Sequence, residues 1–244
     1  MQTLKSFIEK NRSLTINDVE VKIKNEDKYL GDYIHTGGLG KSVETTVNKR
    51  YGVALNLILE LKSVIEDFRM HKLGGISSGL DIFNLAILPA FIYNAETWLD
   101  LPKQTLERLE TLQNTLLRCL LGVPVSAPTP ALHWDVGQLS MEHKVNLKKL
   151  IFAHYLSNDS VLAKEIFTIQ KELKFPGFLP EIQNLIEFYD LPNILDENCV
   201  LTKGKWTSLV KEAIKSKYEE ELKDKMLNCY SKLKNSKLAG NRNF

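Results

Sequence analysis

Apolar and polar residues alternate near the start of the chain and then change period. Leu14-Thr15-Ile16 and Val19-Glu20-Val21-Lys22-Ile23 alternate around Asn17-Asp18, the pattern of a hairpin closed by a two-residue turn. Tyr29-Leu30-Gly31-Asp32-Tyr33-Ile34 reads as a third strand, with Gly31 marking a bulge or a close approach by another backbone. Three short strands do not bury both faces by themselves. The segment therefore reads as the edge of a sheet whose remainder is supplied elsewhere.

Gly37-Gly38-Leu39-Gly40 breaks this pattern, and helical spacing takes over. Ser42 is placed to cap a long helix, with Val43, Val47, Tyr51, Ala54, Ile58, Leu61 and Ile65 as its apolar stripe. Lys41, Lys49, Arg50 and Lys62 lie near or off that stripe, toward solvent or a ligand. Residues 78–98 are apolar nearly all round, which predicts the buried centre of a bundle, kinked or split at Pro89. Residues 102–121 form a helix with Leu109, Leu112, Leu116 and Leu120 inside, stopped by Gly122 and Pro124.

Beyond a loop with Pro124, Pro128 and Pro130 come a short helix over 131–136 and another opening at Ser140. Val145, Leu147, Ile151 and Tyr155 read as the inner face of the latter. Helices over 161–173 and 179–189 follow, then a long one over 203–238 whose stripe runs through Trp206, Val210, Ile214, Tyr218, Leu222, Met226, Cys229 and Leu233. The expectation is a mainly α chain: a short β-hairpin or three-strand remnant, then helical bundles. Its segments are 1–36, 37–123 and 124–244.

Composition changes this picture in one respect, the placing of charge. The chain of 244 residues is 43% hydrophobic and 25% charged, which excludes a mainly disordered protein. Its net charge is +2, yet residues 202–244 carry eleven Lys/Arg against five Asp/Glu, while the rest holds 21 basic and 25 acidic side chains. A basic tail on a mildly acidic body predicts an electrostatic role for that tail. The odd, widely spaced set Cys119, Cys199 and Cys229 is no disulfide framework and suggests a reducing compartment. No signal peptide or membrane span is legible, so an intracellular protein of nucleus or cytoplasm is expected.

Chemical motifs are weak. Gly40-Lys41-Ser42 matches the end of a phosphate-binding loop, but His35 stands where its first glycine belongs. Gly75-Ile76-Ser77-Ser78-Gly79 matches a nucleophile elbow, but a helix precedes it where a strand is required. The five histidines fall in no zinc pattern, and no Asp-Asp pair exists. No cofactor, metal or catalytic residue is expected.

The order of several motifs is more informative. Lys28-Tyr29-Leu30-Gly31 is followed by Ile87-Leu88-Pro89-Ala90-Phe91-Ile92-Tyr93-Asn94-Ala95-Glu96-Thr97-Trp98. Then come Gln113, Leu117-Arg118-Cys119-Leu120-Leu121-Gly122, and Ala131-Leu132 ahead of Gly137. This succession resembles the region after the catalytic core in reverse transcriptases of non-LTR (LINE-like) retrotransposons, over roughly residues 14–160. Phe175-Pro176-Gly177 and the Lys-rich last helix are similar to the tail of such proteins.

The resemblance implies that Tyr29, Leu30 and Gly31 correspond to a primer grip, and that residues 41–121 correspond to a thumb. It implies contact with RNA or an RNA–DNA duplex, read by shape and backbone. The expected contacts are Lys41, Lys49 and Arg50 in the thumb-like part and Lys211 and Lys215 in the basic helix. In that family two metal-binding aspartates of the palm precede the grip; none is legible here, so polymerase chemistry is not expected of this chain alone, and a separately encoded palm is an expected partner. The alternative is an all-helical protein-interaction scaffold without nucleic-acid binding. A third reading is an enzyme whose site the sequence does not reveal.

Overall fold

The computed structural model describes residues 13–16, 19–22, 24–70, 76–99, 101–158, 161–173, 177–195 and 201–240. Strands β1 (Ser13–Ile16) and β2 (Val19–Lys22) pair antiparallel, with Ile16 opposite Val19. The two-residue hairpin read from the alternation is therefore present. Strands β3 (Glu26–Tyr29) and β4 (Asp32–His35) form a second two-stranded sheet.

That second hairpin corrects the single strand expected over residues 29–34. Leu30 has φ +47° and Gly31 φ +95°, and Tyr29 pairs with Asp32 across them. Two successive residues at positive φ make a tight turn, so Leu30 and Gly31 are a hairpin tip, not a bulge. Gly31 does face a close approach, but by a side chain. A Cβ there would stand 3.1 Å from Cε1 of Tyr93.

Helix α1 (Leu39–Met70) follows. Of its stripe, Val43, Val47, Ala54, Ile58 and Leu61 are buried as expected and Tyr51 is half-buried; Ile65 lies outside the described side chains. Ser42 is not its N-cap, because the helix begins three residues earlier. The Ser42 Oγ accepts the His35 N–H at 2.8 Å and donates to the Gly38 carbonyl at 2.9 Å. One turn on, Thr46 Oγ1 accepts the Tyr33 N–H at 2.8 Å. Another turn on, Arg50 Nη2 donates to the Gly31 carbonyl at 2.8 Å. Positions 42, 46 and 50 of the helix thus meet positions 35, 33 and 31 of the hairpin.

The expected helix over 78–98 is split. Helix α2 (Ile76–Ile82) passes into a π turn (Phe83–Ile87), then α3 (Leu88–Phe91) and a 3₁₀ turn (Ala95–Thr97). Pro89 has no N–H for the Leu85 carbonyl and its ring crowds that carbonyl; the widened turn just before it relieves both. The expected all-round burial is also corrected. Phe83, Ile87 and Phe91 are buried at intervals of four, while Leu85 is 80% exposed.

Helix α4 (Lys103–Leu121) ends as read, with Gly122 at φ +65° donating to the Arg118 carbonyl. Helices α5 (Thr129–Val136), α6 (Met141–Asn158), α7 (Val161–Leu173), α8 (Phe178–Phe188) and α9 (Lys203–Gly240) complete the chain. Two cores result. The first joins α1, the broken segment, α4 and α5, and continues to Met141 and Val145. The second gathers Leu150, Ala153, Ile182, Ile186, Trp206, Val210 and Ile214. Helix α6 feeds both, so the first core runs past the Pro-rich loop at which the sequence suggests a boundary. Tyr155, expected inside, is 48% exposed. Of the tryptophans, Trp98 and Trp206 are buried and Trp134 is half exposed.

Among the described residues no helix is long and apolar enough to cross a membrane.

Candidate nucleic-acid interface

The residues assigned to duplex contact fall in two neighbourhoods. Tyr29, Leu30 and Gly31 form the β3–β4 tip, which Arg50 of α1 contacts, while Lys49 of α1 meets the hairpin at Glu26 and Tyr33. Lys211 and Lys215 lie on α9, which packs on α5 and α6.

The tip is held from below and open above. Tyr29 and Leu30 are 63% and 73% exposed. Arg50 holds the turn: Nη2 donates to Gly31 O and to Asp32 Oδ1 at 2.5 Å, and Nη1 donates to Tyr93 O at 2.8 Å and Phe91 O at 3.3 Å. Asn94 Nδ2 adds a bond to Leu30 O at 3.4 Å. Arg50 therefore does not face solvent as the stripe suggested. Its planar fork fastens the hairpin to α1 and to the turn after α3, leaving little donor capacity for a phosphate.

The lysines are exposed but mostly paired. Lys41 meets Glu44 at 2.9 Å, and Lys49 meets Glu26 at 3.2 Å and lies 5.6 Å from the Tyr33 ring centre. Lys215 meets Glu219 at 3.9 Å one turn along α9, while Lys211 is exposed. Exposed pairs of this kind are weak, so a phosphate competes with the carboxylate at small cost. Lys203, Lys205 and Lys223 add exposed cations to α9. The side chains of Lys232, Lys234 and Lys237 lie outside the described ones, as do Cys199 and the Phe175-Pro176 pair.

A second polar cluster, not anticipated from the sequence, lies inside the bundle. His133 Nδ1 faces the Gln138 carbonyl at 3.0 Å and Nε2 faces the Asn114 side chain at 2.8 Å. Burial pulls the His133 pKa down. A carbonyl only accepts, so Nδ1 carries a ring proton toward Gln138, while Nε2 lies against the Asn114 Oδ1. In His143, Ser140 Oγ accepts the backbone N–H at 3.3 Å and lies 2.7 Å from Nδ1. The other ring nitrogen, Nε2, is buried without a hydrogen bond and faces the Glu221 carboxylate at 3.7 Å. Burial holds the His143 pKa down at about 4, against the pull of the Glu221 carboxylate.

Lys144 donates to Gln138 Oε1 at 3.1 Å and lies 5.3 Å from the Phe83 ring centre, and burial lowers its pKa to about 8. Burial also pushes Tyr189 up to about 12 and raises Tyr218. Such shifts accompany active sites and buried structural networks alike. Here the contacts join α4, α5, α6 and α9. The cluster acts as a fastening between helices. A sequence signal for it existed only in the two histidines His133 and His143, which lie on predicted helices.

The two motif fragments carry no site. Lys41 and Ser42 lie in the first turns of α1, with Ser42 bonded to the hairpin. Ser77 and Ser78 open α2 with no strand before them among the described residues. No group of three or more His, Cys, Asp or Glu that could hold a metal occurs among the described residues. No protein-family model, curated protein or solved structure matches the chain.

Proposed function

We propose that the chain is the post-catalytic, thumb-like region of a non-LTR retrotransposon reverse transcriptase, binding a template–primer duplex without base readout. The observation that supports it most is the ordered motif set, with its Tyr29-Leu30-Gly31 element at an exposed hairpin tip fastened to the first long helix. Lys41, Lys49, Lys211 and Lys215 supply the phosphate contacts in this reading. It gives the chain no polymerase step of its own. Metal binding of the two-ion kind needs clustered carboxylates, and neither an Asp-Asp pair nor such a cluster among the described residues supports one. A separately encoded palm is the partner this reading calls for.

A second reading, a helical interaction scaffold, draws on one observation. Lys41, Lys49 and Lys215 are already paired, and Arg50 is committed to the hairpin.

Anisotropy with labelled RNA–DNA duplex separates the two. The duplex reading expects binding that falls steeply between about 50 and about 200 mM salt, as counterion release demands. Lys211→Ala with Lys215→Ala lowers the salt slope, and so does Lys41→Ala with Lys49→Ala. Arg50 is left intact because its loss would loosen the hairpin. Absence of binding at the lower salt favours the scaffold. Primer extension with Mg²⁺ or Mn²⁺ is expected to give no product, and template-dependent synthesis would overturn that part.

A further inference from the structure

A groove of about 300 Å³ opens between α6, the 3₁₀ turn and the first residue of α9. That is the lower end of the range for ligand pockets. Apart from Lys203, one of the exposed cations of α9, none of the residues considered for duplex contact lines it. Its floor comes from α6, where Lys148, Phe152 and Tyr155 share one face at intervals of four and three. The Phe152 and Tyr155 rings are 6.2 Å apart and inclined by only 21°, so they form one aromatic shelf. Phe178 of α8 meets Phe152 edge-on at 5.8 Å and steadies it. Tyr155 is half exposed, although its helix position predicts burial.

The two ends of the groove differ in charge. At one, Glu96 of the 3₁₀ turn pairs with Lys148 at 2.7 Å, which leaves that end locally neutral. At the other stands Lys203, exposed, at the start of α9. His154 holds that end in place. Its Nε2 donates to the Leu201 carbonyl at 2.8 Å, and its ring stacks on Trp206 at 6.1 Å. Lys148 and Tyr155 stand seven residues, about 10 Å, apart along α6.

We propose that this groove binds a nucleotide, with the base on the Phe152–Tyr155 shelf and the phosphate at Lys203. A flat apolar ring suits the shelf because aromatic faces stack on any base. The charge difference fixes the orientation, since Lys203 attracts the phosphate while the Glu96–Lys148 pair is neutral. The ligand is a free nucleotide or one unit of a single strand. The site stands independently of the duplex reading.

Adenosine 5′-monophosphate, ribose 5-phosphate and adenosine are titrated by calorimetry, and a labelled oligothymidine of about eight nucleotides, within the site sizes of single-strand binders, by anisotropy. Adenosine 5′-monophosphate is expected to bind more tightly than the compounds lacking base or phosphate. Tyr155→Ala is expected to weaken binding about tenfold, the size of one lost stack, while Tyr155→Phe keeps it. Lys203→Glu weakens binding and flattens its salt dependence. Both positions are exposed, so unchanged thermal midpoints verify intact folding. Binding of the mononucleotide without the oligonucleotide identifies a free-nucleotide site, and the converse a strand site. Binding of neither overturns the proposal, as does a Tyr155→Ala protein that binds like wild type. Lys41→Ala with Lys49→Ala leaves mononucleotide binding unchanged, which separates this result from that of the duplex test.

Discussion

Glu110 of α4 caps the first turn of α6: its Oε1 accepts the Met141 N–H at 2.7 Å and the Glu142 N–H at 3.3 Å. A carboxylate suits a helix N-terminus, where amides lack partners. Burial nevertheless raises the Glu110 pKa, outweighing the two amide bonds that lower it. The fold thus favours the protonated acid, and the ionised form costs stability at neutral pH. Glu110→Gln, which keeps an acceptor without the charge, is expected to match or exceed wild type at pH 7. Glu110→Ala is expected to lose about 1 kcal/mol, as lost caps do. The advantage of Gln over wild type shrinks as pH falls through the raised carboxyl pKa. Thermal midpoints of the three proteins across pH check this, and an Ala variant as stable as wild type would sink it.

His143 titrates in the opposite sense. Its folded pKa is held down at about 4 against an ordinary 6.5. The stability it contributes is therefore complete above about pH 6.5 and lost as pH falls toward 4. Between pH 7 and pH 5 the loss is about 2 kcal/mol, from the energy of a pKa unit. Urea midpoints of wild type and His143→Asn at the two pH values should show a smaller acid loss in the variant. Equal losses would show that His143 does not carry this dependence.

Gly52 and Gly31 should respond oppositely to the same change. A Cβ at Gly52, mid-helix in α1, meets nothing within 4 Å. Gly52→Ala is expected to stabilise by about 0.5–1 kcal/mol, the helix-interior difference between the two residues. At Gly31 the left-handed backbone and the nearby Tyr93 ring both resist a methyl group. Gly31→Ala is expected to destabilise the hairpin tip, and denaturant midpoints compare the pair.

Arg50→Lys keeps the charge and loses the fork. A lysine does not reach Gly31 O, Asp32, Tyr93 O and Phe91 O together, so a loss of about 2 kcal/mol is expected for charged hydrogen bonds. Faster amide exchange in β3 and β4, with little change in α7 or α8, locates the effect. Unchanged exchange in the hairpin would count against the clamp.

The helices were legible because their signal is local. The stripe from Val43 to Leu61 and that from Trp206 to Leu222 each repeat within one element, and both are buried. Gly122 and Gly137 mark helix ends by their positive φ, as their positions suggest. The broken segment misled because a run of apolar residues does not say which of them find a partner; Leu85 finds none inside. Arg50 misled because its acceptors belong to the hairpin and to the turn after α3, which only the fold brings together. The Glu110 cap spans 31 positions, beyond the reach of any periodicity. The aromatic shelf was hidden for a related reason: Tyr155 falls on an inward register, yet it is half exposed in the fold.

The contacts of Ser42, Thr46 and Arg50 with the hairpin work like two rulers laid side by side. Four helical residues advance about 6 Å and two strand residues about 6.7 Å, so three rungs match before the scales drift apart. Strand β4 is four residues long, a length this helix can blind completely. With its outward amides at Tyr33 and His35 taken by α1, β4 offers no template on that side. Growth of the sheet is thereby one-sided: an incoming strand, from a palm or any other source, has only the border along Glu26–Tyr29 to join.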